Sequence, residues 1–351
     1  MLYQKILRPL LFKLDPENAH ELATRSLQLL NHSKVGLNLL KRFTENNGSA
    51  VDVFGLQFPN CVGQAAGLDK NALFPAVSQA LGFGHVEVGT VTPNAQPGND
   101  RPRLFRYPDH QALINRMGFN NDGVDALATR TENSFPKTSR KIPLGINLGK
   151  GKETPIENAL SDYCYGLTKV SEIADYVTIN ISSPNTPELR KLHQFEFLDP
   201  LLSGIRSHRT ALKKIIHGKS PPCLLKISPD ESFRSLEYLT LKAIEHGFDG
   251  IIACNTSVNR NFLSHSNNLP EGGISGKPIG NRSIEVIQFI AKLTDFKFPI
   301  IGSGGVHDYD TAAKVLNAGA SLLQIYTSFI YKGPLWPKAL AKQISKIQDW
   351  I

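Results

Sequence analysis

A pair of serines after an apolar run raises the first chemical question. Residues 176–181 have the composition of a buried strand, and they are followed directly by Ser182, Ser183, Pro184 and Asn185. A serine hydroxyl becomes a useful base or nucleophile only when a neighbouring group can take its proton. Neither histidine nor carboxylate lies within several residues of this pair. The residues themselves therefore leave open what would activate the hydroxyl.

Other apolar segments also end in polar residues of a restricted kind. The segments "GINLG", "TINIS" and "ACNTS" each place an asparagine at the end of an apolar run, at Asn147, Asn180 and Asn255. One such asparagine usually satisfies a turn, but several meeting at one site could match the donors and acceptors of a cyclic amide or imide. Lys70 and Lys226 occupy similar positions. A site with lysines and few carboxylates should prefer an anion.

The elements that would position these residues alternate from about residue 60 onward. Apolar strand candidates begin at Cys61, His85, Ile142, Asp175, Cys223, Gly250, Pro299 and Ser321. Helix-compatible stretches lie between most of them, including residues 155–170, 233–245 and 308–318. Strand alternating with helix predicts a parallel sheet with right-handed crossovers. Eight units predict an α/β fold of the (β/α)8 TIM-barrel class, with a doubly wound open sheet as the alternative.

Chemistry in such a barrel lies at the C-terminal ends of the strands. The segment "GSGGVHD" follows the seventh strand candidate and "YTSF" follows the eighth, the usual phosphate position. Glycines let backbone N–H groups approach a phosphate, and the helix after them adds a favourable dipole. The connections at residues 92–141 and 258–281 are longer than a single strand–helix unit needs, and we expect a hairpin in the first.

Composition narrows the class of protein only in part. The chain has 351 residues, 41% of them hydrophobic, and a net charge of +8, which favours an anionic substrate, a phosphate cofactor, nucleic acid or an anionic membrane. Nucleic acid is disfavoured because the basic residues form no run interleaved with aromatics. The four cysteines are scattered without a CxxC pair or an HExxH motif, so neither a metal site nor a disulfide framework is expected.

The N-terminal segment differs from the rest in being basic and amphipathic. Residues 1–14 carry Lys5, Arg8 and Lys13 without any acid. A second helix is predicted with Asp15 as its N-cap and Pro16 at its first position. No apolar run is long enough to cross a membrane. The two helices would lie in a membrane interface or pack on their own domain.

Ten motifs in order resemble those of one family, the dihydroorotate dehydrogenases. They are "AAGLDKNA", "EVGTVTPNAQPGNDRPRLFR", "INRMGFNN", "GINLGK", "INISSPNTPELR", "KISPD", "ACNTS", "GGISGKP", "IIGSGGV" and "LLQIYTSFIYKGP". The segment "LFKLDPENAHEL" resembles the helical extension of the membrane-associated, quinone-dependent class. Because the motifs run in register across nearly the whole chain, the resemblance goes beyond fold.

The resemblance implies a specific reaction and location. FMN would bind at the barrel mouth and accept hydride as (S)-dihydroorotate is oxidised to orotate in pyrimidine biosynthesis. Ubiquinone or menaquinone would then reoxidise the flavin. Residues 1–45 would form a helical extension that contacts the membrane surface and encloses the quinone, and residues 46–351 would form the catalytic barrel. The protein would be peripheral, on the cytoplasmic face of the cell membrane.

Site residues follow from the same resemblance by position. The catalytic base would be Ser183, since quinone-linked members use serine where the cytosolic class uses cysteine. The substrate would be held by Lys70, Asn115, Arg116, Met117, Gly118, Phe119, Asn180, Asn185, Asn255 and Thr256. FMN would contact Ala66, Gly67, Lys70, Thr90, Asn147, Asn180, Lys226, Cys254, Gly276, Gly305, Tyr326 and Thr327. The quinone would meet His20 and Arg106.

Three positions depart from the commoner pattern of the family. Cys254 stands where threonine is usual, Thr327 where serine is usual, and Glu188 where glycine is usual in the mobile loop. Cys254 would lose a hydroxyl contact to FMN, whereas Glu188 bears on the flexibility of the loop.

Two other functions remain open: a soluble FMN dehydrogenase that passes electrons to fumarate or NAD, and a membrane-surface scaffold without turnover.

Overall fold

Eight parallel strands close into a barrel in the computed structural model, which describes residues 2–44, 48–186, 188–215, 220–263 and 268–348. The barrel strands are β3 (Val62–Gln64), β4 (His85–Val91), β7 (Leu144–Leu148), β8 (Tyr176–Asn180), β9 (Cys223–Ile227), β10 (Gly250–Ala253), β12 (Ile300–Ser303) and β13 (Leu322–Ile325). The ring closes because β13 pairs with β3 while β10 pairs with both β9 and β12. The predicted TIM barrel is confirmed, and the open-sheet alternative is wrong.

A shell of helices surrounds the barrel and buries the outer face of its strands. The helices are α4 (Pro75–Ala80), α5 (Val124–Ser134), α6 (Ala159–Val170), α7 (Phe195–Ile215), α8 (Phe233–Glu245), α9 (Gly280–Leu293), α10 (Tyr309–Asn317), α11 (Thr327–Lys332) and α12 (Trp336–Gln348). Every residue of β4, β7, β8 and β9 is buried, which explains why these strands appear in the sequence as nearly continuous apolar runs.

Two small sheets lie outside the barrel. The antiparallel pair β1 (Val51–Val53) and β2 (Leu56–Phe58) lies at the N-terminal end of the barrel, where Phe58 contacts the ring of His85. The expected hairpin is present as β5 (Leu104–Tyr107) and β6 (Ala112–Asn115). The second long connection adds β11 (Gly273–Gly276) to the same sheet, beside β6. Both long connections thus build one structure near the barrel mouth.

The N-terminal segment forms helices that dock on the barrel. A π-helical turn (Tyr3–Leu7) leads into α1 (Arg8–Leu11), α2 (Pro16–Asn31) and α3 (Lys34–Thr44). The predicted start of α2 is confirmed, because the carboxylate of Asp15 accepts from the N–H groups of Glu17 and Asn18 at 2.9 and 3.1 Å. Helix α3 was not predicted from the sequence. The expected domain boundary at residue 45 lies outside the described residues.

Specific polar contacts hold α2 in place. Glu17 is only 4% exposed and accepts from Arg103 at 2.9 Å. At the other end of α2, Asn31 Oδ1 accepts from the N–H groups of Ala76 and Val77 at 3.0 and 3.2 Å. Asn31 therefore caps α4, whose own N-cap residue makes no side-chain hydrogen bond. The extension is integrated into the barrel surface through these contacts.

Much of the apolar surface of the extension remains exposed. The large apolar side chains concerned are Leu2, Ile6, Leu7, Leu10, Leu14, Leu22, Leu29, Val35 and Leu39. Lys5 and Lys13 are also exposed in the same segment. Among the described residues, no helix is both long and apolar enough to cross a bilayer. The extension therefore packs on its own domain through one face, as one of the two interpretations expects, while the membrane interpretation of the exposed face stays a prediction.

Candidate active site

A cleft opens at the C-terminal ends of the barrel strands, with about 1100 Å³ of empty space when the open mouth is included. Most of the residues expected at the site line this cleft together. They are Ala66, Gly67, Lys70, Thr90, Asn115, Met117, Gly118, Phe119, Asn180, Ser183, Asn185, Lys226, Cys254, Asn255, Thr256, Gly276, Gly305, Tyr326 and Thr327. Four expected residues, His20, Arg106, Arg116 and Asn147, are not in its wall.

The asparagines at the strand ends form a connected array. The Asn180 amide donates to Thr90 Oγ1 at 2.9 Å and to Asn147 Oδ1 at 3.2 Å. Asn255 donates to Asn180 Oδ1 at 3.4 Å and to the hydroxyl of Ser182 at 3.0 Å. The expected convergence of three asparagines is therefore observed, with Asn147 buried beneath the other two. This array fixes the orientation of each amide before any ligand binds.

Ser183 lies at the edge of this array, in the loop after β8. It is 6% exposed, and its hydroxyl accepts from the backbone N–H of Asn185 at 3.3 Å. Asn185 in turn donates to Asn115 Oδ1 at 3.2 Å, which ties the loop to the β5–β6 hairpin. Within the described part of the chain, no imidazole or carboxylate is hydrogen-bonded to the Ser183 hydroxyl. An acceptor for its proton must therefore be water or a group brought in by the ligand.

Arg190 anchors the far end of the same loop, a role that was not predicted from the sequence. Its guanidinium donates to Asp230 at 3.0 Å and to the backbone carbonyls of Ser182 and Thr256 at 3.3 Å each. One side chain thus holds the residue before Ser183 against the loop that follows β10. Its place in the motif "INISSPNTPELR" was the available signal, but Asp230 and Thr256 are distant in sequence.

Lys70 presents a partly exposed ammonium group to the cleft. Its pKa is lowered to about 8, mainly by burial and then by the charge of Arg103, against the opposing charges of Glu17 and Asp69. Across the described residues, no carboxylate lies within 4 Å of Lys70, since Glu17 pairs with Arg103 and Asp69 accepts from the N–H groups of Leu73 and Phe74. An unpaired, partly desolvated cation favours an anionic ligand.

Lys226 is the second cation of the cleft and is more deeply placed. It is 5% exposed, at the floor of the cleft, and its ammonium lies 4.0 Å from the Glu87 carboxylate. Burial lowers the pKa of Lys226, and the charge of Glu87 acts in the opposite direction. The two lysines thus occupy different depths, with a counter-ion only at the deeper one.

The glycine segment after β12 makes a close backbone approach. Gly304 and Gly305 have φ values of +95° and +79°, and a Cβ on Gly305 would overlap the backbone of Gly280 at the start of α9. Asp308 caps α10 through a capping box with Thr311 and occupies the N-terminus of that helix. The N-terminus of α11, after β13, has no side-chain cap and contributes Tyr326, Thr327 and Ser328 to the cleft, so the expected phosphate position there stays a prediction.

The expected substrate residue Arg116 points away from the cleft. Its guanidinium donates to the Pro102 carbonyl at 3.0 and 3.1 Å and lies over the ring of Phe105. The expected substrate contact is therefore not in place for this side chain, because the hairpin backbone supplies its acceptor. Its neighbours Met117, Gly118 and Phe119 do line the cleft.

Comparison with known proteins identifies the family of this fold and site. Residues 49–347 match the family model described as dihydroorotate dehydrogenase. The chain belongs to the dihydroorotate dehydrogenase family. It is 47% identical to a dihydroorotate dehydrogenase (quinone) of Methylococcus capsulatus over 99% of both chains, and 47% identical to one of Marinobacter nauticus over 94% of this chain and 95% of that one.

A solved structure agrees with this assignment. A crystal structure of DHODH from Eimeria tenella in complex with ferulenol has a TM-score of 0.85 and 33% sequence identity to this chain, covering 97% of this chain and 95% of that one.

The departure at Glu188 has a structural consequence, since its φ of +57° lies in the left-handed region that favours glycine. Glu188 occupies it while pairing with Lys191 at the surface.

Proposed function

We infer that this chain is a quinone-dependent dihydroorotate dehydrogenase, which oxidises (S)-dihydroorotate to orotate in pyrimidine biosynthesis. The observation that carries this inference is the unpaired Lys70 facing the asparagine array beside Ser183. A carboxylated cyclic imide matches that combination, with the carboxylate on the ammonium and the ring edge on the amides. The relatives named as quinone enzymes, which span nearly the whole chain, support the acceptor.

FMN is the proposed cofactor, and the residues present fit it. Gly304 and Gly305 allow backbone N–H groups to approach a phosphate. Gln324 lines the cleft with a buried Oε1 that has no partner among the described residues, an acceptor suited to a ring N–H. FMN would be held by Ala66, Gly67, Lys70, Thr90, Asn147, Asn180, Lys226, Cys254, Gly276, Gly305, Tyr326 and Thr327. When bound, it supplies the acceptor for hydride and the route of electrons to the quinone.

The substrate groups act by orientation and by charge. Lys70 would bind the carboxylate of dihydroorotate, while Asn115, Asn180, Asn185, Asn255 and Thr256 hold the ring. The side-chain Oδ1 of Asn255 accepts from the Thr256 N–H at 2.8 Å while its Nδ2 donates to Asn180 and Ser182, so this amide is held in one orientation. Lys226 would stabilise the negative charge that develops on the cofactor side of the site.

Ser183 is the proposed proton acceptor. Its Oγ would take the proton from the ring carbon next to the carbonyl as hydride leaves the adjacent carbon. Serine is a weak base, so the proton must pass onward to water as charge develops. The low exposure of Ser183 supports this role, because a shielded site strengthens the electrostatic effect of nearby groups.

The extension at residues 1–45 is proposed to dock on the membrane and to admit ubiquinone or menaquinone. Its exposed leucines and lysines suit an interface with anionic lipid. Burial, and then the charge of Lys70, lowers the pKa of His20 on α2 to about 3, so His20 lies within electrostatic reach of a cleft residue. The cytoplasmic face of the cell membrane is the proposed location, with residues 46–351 as the catalytic domain.

Arg106 provides a test of the role of the extension. Its guanidinium donates to the carbonyls of Leu11 and Leu14 and lies 4.5 Å from the ring of Phe12. Arg106→Ala should slow reoxidation of the reduced enzyme by a long-chain quinone by about tenfold, since a hydrogen bond from a charged group contributes about 1.5–3 kcal/mol. Reduction by dihydroorotate should be unchanged. Arg25→Ala, at an exposed position on α2, is the control. Equal quinone kinetics in both variants would refute the assignment.

The low pKa of Lys70 predicts how ligand affinity depends on pH. The protonated ammonium binds the anion, so orotate affinity should be constant below pH 8 and fall by up to about tenfold per pH unit above it. Burial raises the pKa of the neighbouring Asp69 to about 6, so the titration starts above that pH, where Asp69 keeps its charge. Titration of the flavin spectrum with orotate from pH 6.5 to about 9.5 measures this, and an affinity that stays flat to the upper limit contradicts the role of Lys70.

The direct test of the proposed function is a comparison of electron acceptors. The purified protein is supplied with dihydroorotate and with a soluble quinone, fumarate or NAD in parallel. Turnover with quinone alone is expected. Turnover with fumarate or NAD in its place would favour the soluble dehydrogenase, and a protein without flavin would favour the scaffold.

A further inference from the structure

Glu87 is a buried carboxylate beneath the floor of the cleft. It lies on β4, inside the barrel, with 0% exposure. Four neutral side chains donate to it: Asn147 at 2.7 Å, Gln324 at 2.8 Å, and Tyr176 and Thr178 at 3.2 Å each. The ammonium of Lys226 lies 4.0 Å from the same carboxylate. The carboxylate is thus surrounded by hydrogen-bond donors from three other strands, β7, β8 and β13, and by an ammonium from a fourth, β9.

A charge in this position requires compensation. Moving an isolated carboxylate or ammonium out of water costs several kcal/mol, and the cost is offset only by hydrogen bonds and an opposite charge. Glu87 has both. Lys226 depends on Glu87 more strongly, because no other carboxylate in the described residues lies within 4 Å of its ammonium. Burial lowers the pKa of Lys226, and Glu87 raises it.

Glu87 also fixes the orientation of two amides above it. Because Asn147 donates its Nδ2 to Glu87, its Oδ1 faces upward and accepts from Thr90 and Asn180 at 2.5 and 3.2 Å. Gln324 likewise donates its Nε2 to Glu87, which leaves its Oε1 for a ligand. A donor-only partner in place of the carboxylate would favour the opposite orientation of both amides.

We propose that Glu87 is a positioning residue whose negative charge keeps Lys226 protonated before electrons arrive, so that bound FMN meets a fixed positive charge in both redox states. The inference rests on the proposed function, because it requires FMN in the cleft. With Glu87 in place, reduction of the bound cofactor consumes two electrons and one proton. Without it, Lys226 is neutral next to the oxidised cofactor and takes up a second proton from solvent as negative charge appears.

Apart from Lys70, the other titratable groups that face the pair keep their charge between pH 6 and about 9.5. Burial raises the pKa of Tyr176 on β8 far above its ordinary value, and raises that of Cys254 after β10 to about 12. Burial lowers the pKa of His85, also on β4, to about 3. Lys70, with a pKa of about 8, is present in every variant and cancels in a comparison.

The test is the pH dependence of the reduction potential of the bound cofactor. Spectroelectrochemical titrations from pH 6 to about 9.5 are run on the full-length holoenzyme and on Glu87→Gln. The additional proton makes the potential of Glu87→Gln fall more steeply by about 30 mV per pH unit, the two-electron equivalent of a tenfold change in proton concentration. This readout is independent of turnover.

Two further variants isolate the charge pair. Glu87→Gln/Lys226→Met removes both charges and should return the slope to that of the unmodified protein. Tyr176→Phe removes one donor to Glu87 but leaves the ion pair, so it should keep the original slope. A stable fold in the double variant, where Glu87→Gln alone fails to fold, would also support the pair, because replacement of a whole buried pair is better tolerated than removal of one member.

The opposing outcomes are distinct. A Glu87→Gln protein that holds FMN with an unchanged slope overturns the inference. Collapse of both the single and the double variant also overturns it, since the carboxylate would then serve the barrel alone. An unmodified protein that binds no FMN contradicts the proposed function instead.

Discussion

Ser183→Ala is expected to slow reduction of the bound flavin by dihydroorotate by about 10²- to 10⁴-fold, the usual contribution of a positioned proton acceptor. FMN should remain bound, because the cleft residues proposed to hold it are unaltered. The Ser183 hydroxyl accepts only one backbone hydrogen bond, from Asn185, so its removal leaves little else unsatisfied. Anaerobic stopped-flow absorbance at saturating dihydroorotate measures the rate directly.

Ser182→Ala provides a matched control one residue earlier. The Ser182 hydroxyl donates to Asn180 Oδ1 at 3.1 Å and accepts from Asn255, so its loss should disturb ligand affinity more than the rate at saturation. A near-normal rate in Ser183→Ala, or equal losses in the two serine variants, would remove the proposed base.

Lys70→Met should have the second largest effect, on binding. Methionine keeps most of the apolar stem but lacks the ammonium proposed to hold the substrate carboxylate. Loss of a charged hydrogen bond of about 1.5–3 kcal/mol corresponds to an affinity for orotate lower by about 10- to 150-fold. The drop in affinity with pH above 8 should disappear in the same variant, because the titrating group is gone.

Lys152→Met is the control for net charge, since Lys152 is exposed. Both variants lose one positive charge, so a long-range electrostatic effect would appear in both. Equal orotate affinities for the two variants would show that Lys70 makes no direct contact with the carboxylate.

The barrel was predictable because its signals are local. Each strand is a short apolar run, and each polar residue at a strand end projects toward a common mouth once eight strands close. Asn147, Asn180 and Asn255 could therefore be grouped from their positions alone, and the structure brings them into one hydrogen-bonded array. The N-terminus of α2 was equally local, since its cap and first proline are adjacent in sequence.

The remaining features depend on partners that are distant in sequence. Asn31 caps α4 across 45 residues, and Arg190 reaches Asp230 across 40. Glu87 is an isolated acid within a strand in the sequence, and its four donors and Lys226 come together only when the barrel closes. Residue type indicated the chemistry, whereas closure decided which groups meet.

One cleft is proposed to accept electrons from dihydroorotate and to release them to a quinone. The most direct measurement is an anaerobic stopped-flow experiment in which the purified protein is mixed with dihydroorotate, followed by addition of a soluble quinone, while the flavin absorbance is recorded. The flavin absorbance is expected to bleach on the first mix and to recover fully on the second. A flavin that dihydroorotate leaves oxidised, or that quinone leaves reduced, would contradict it.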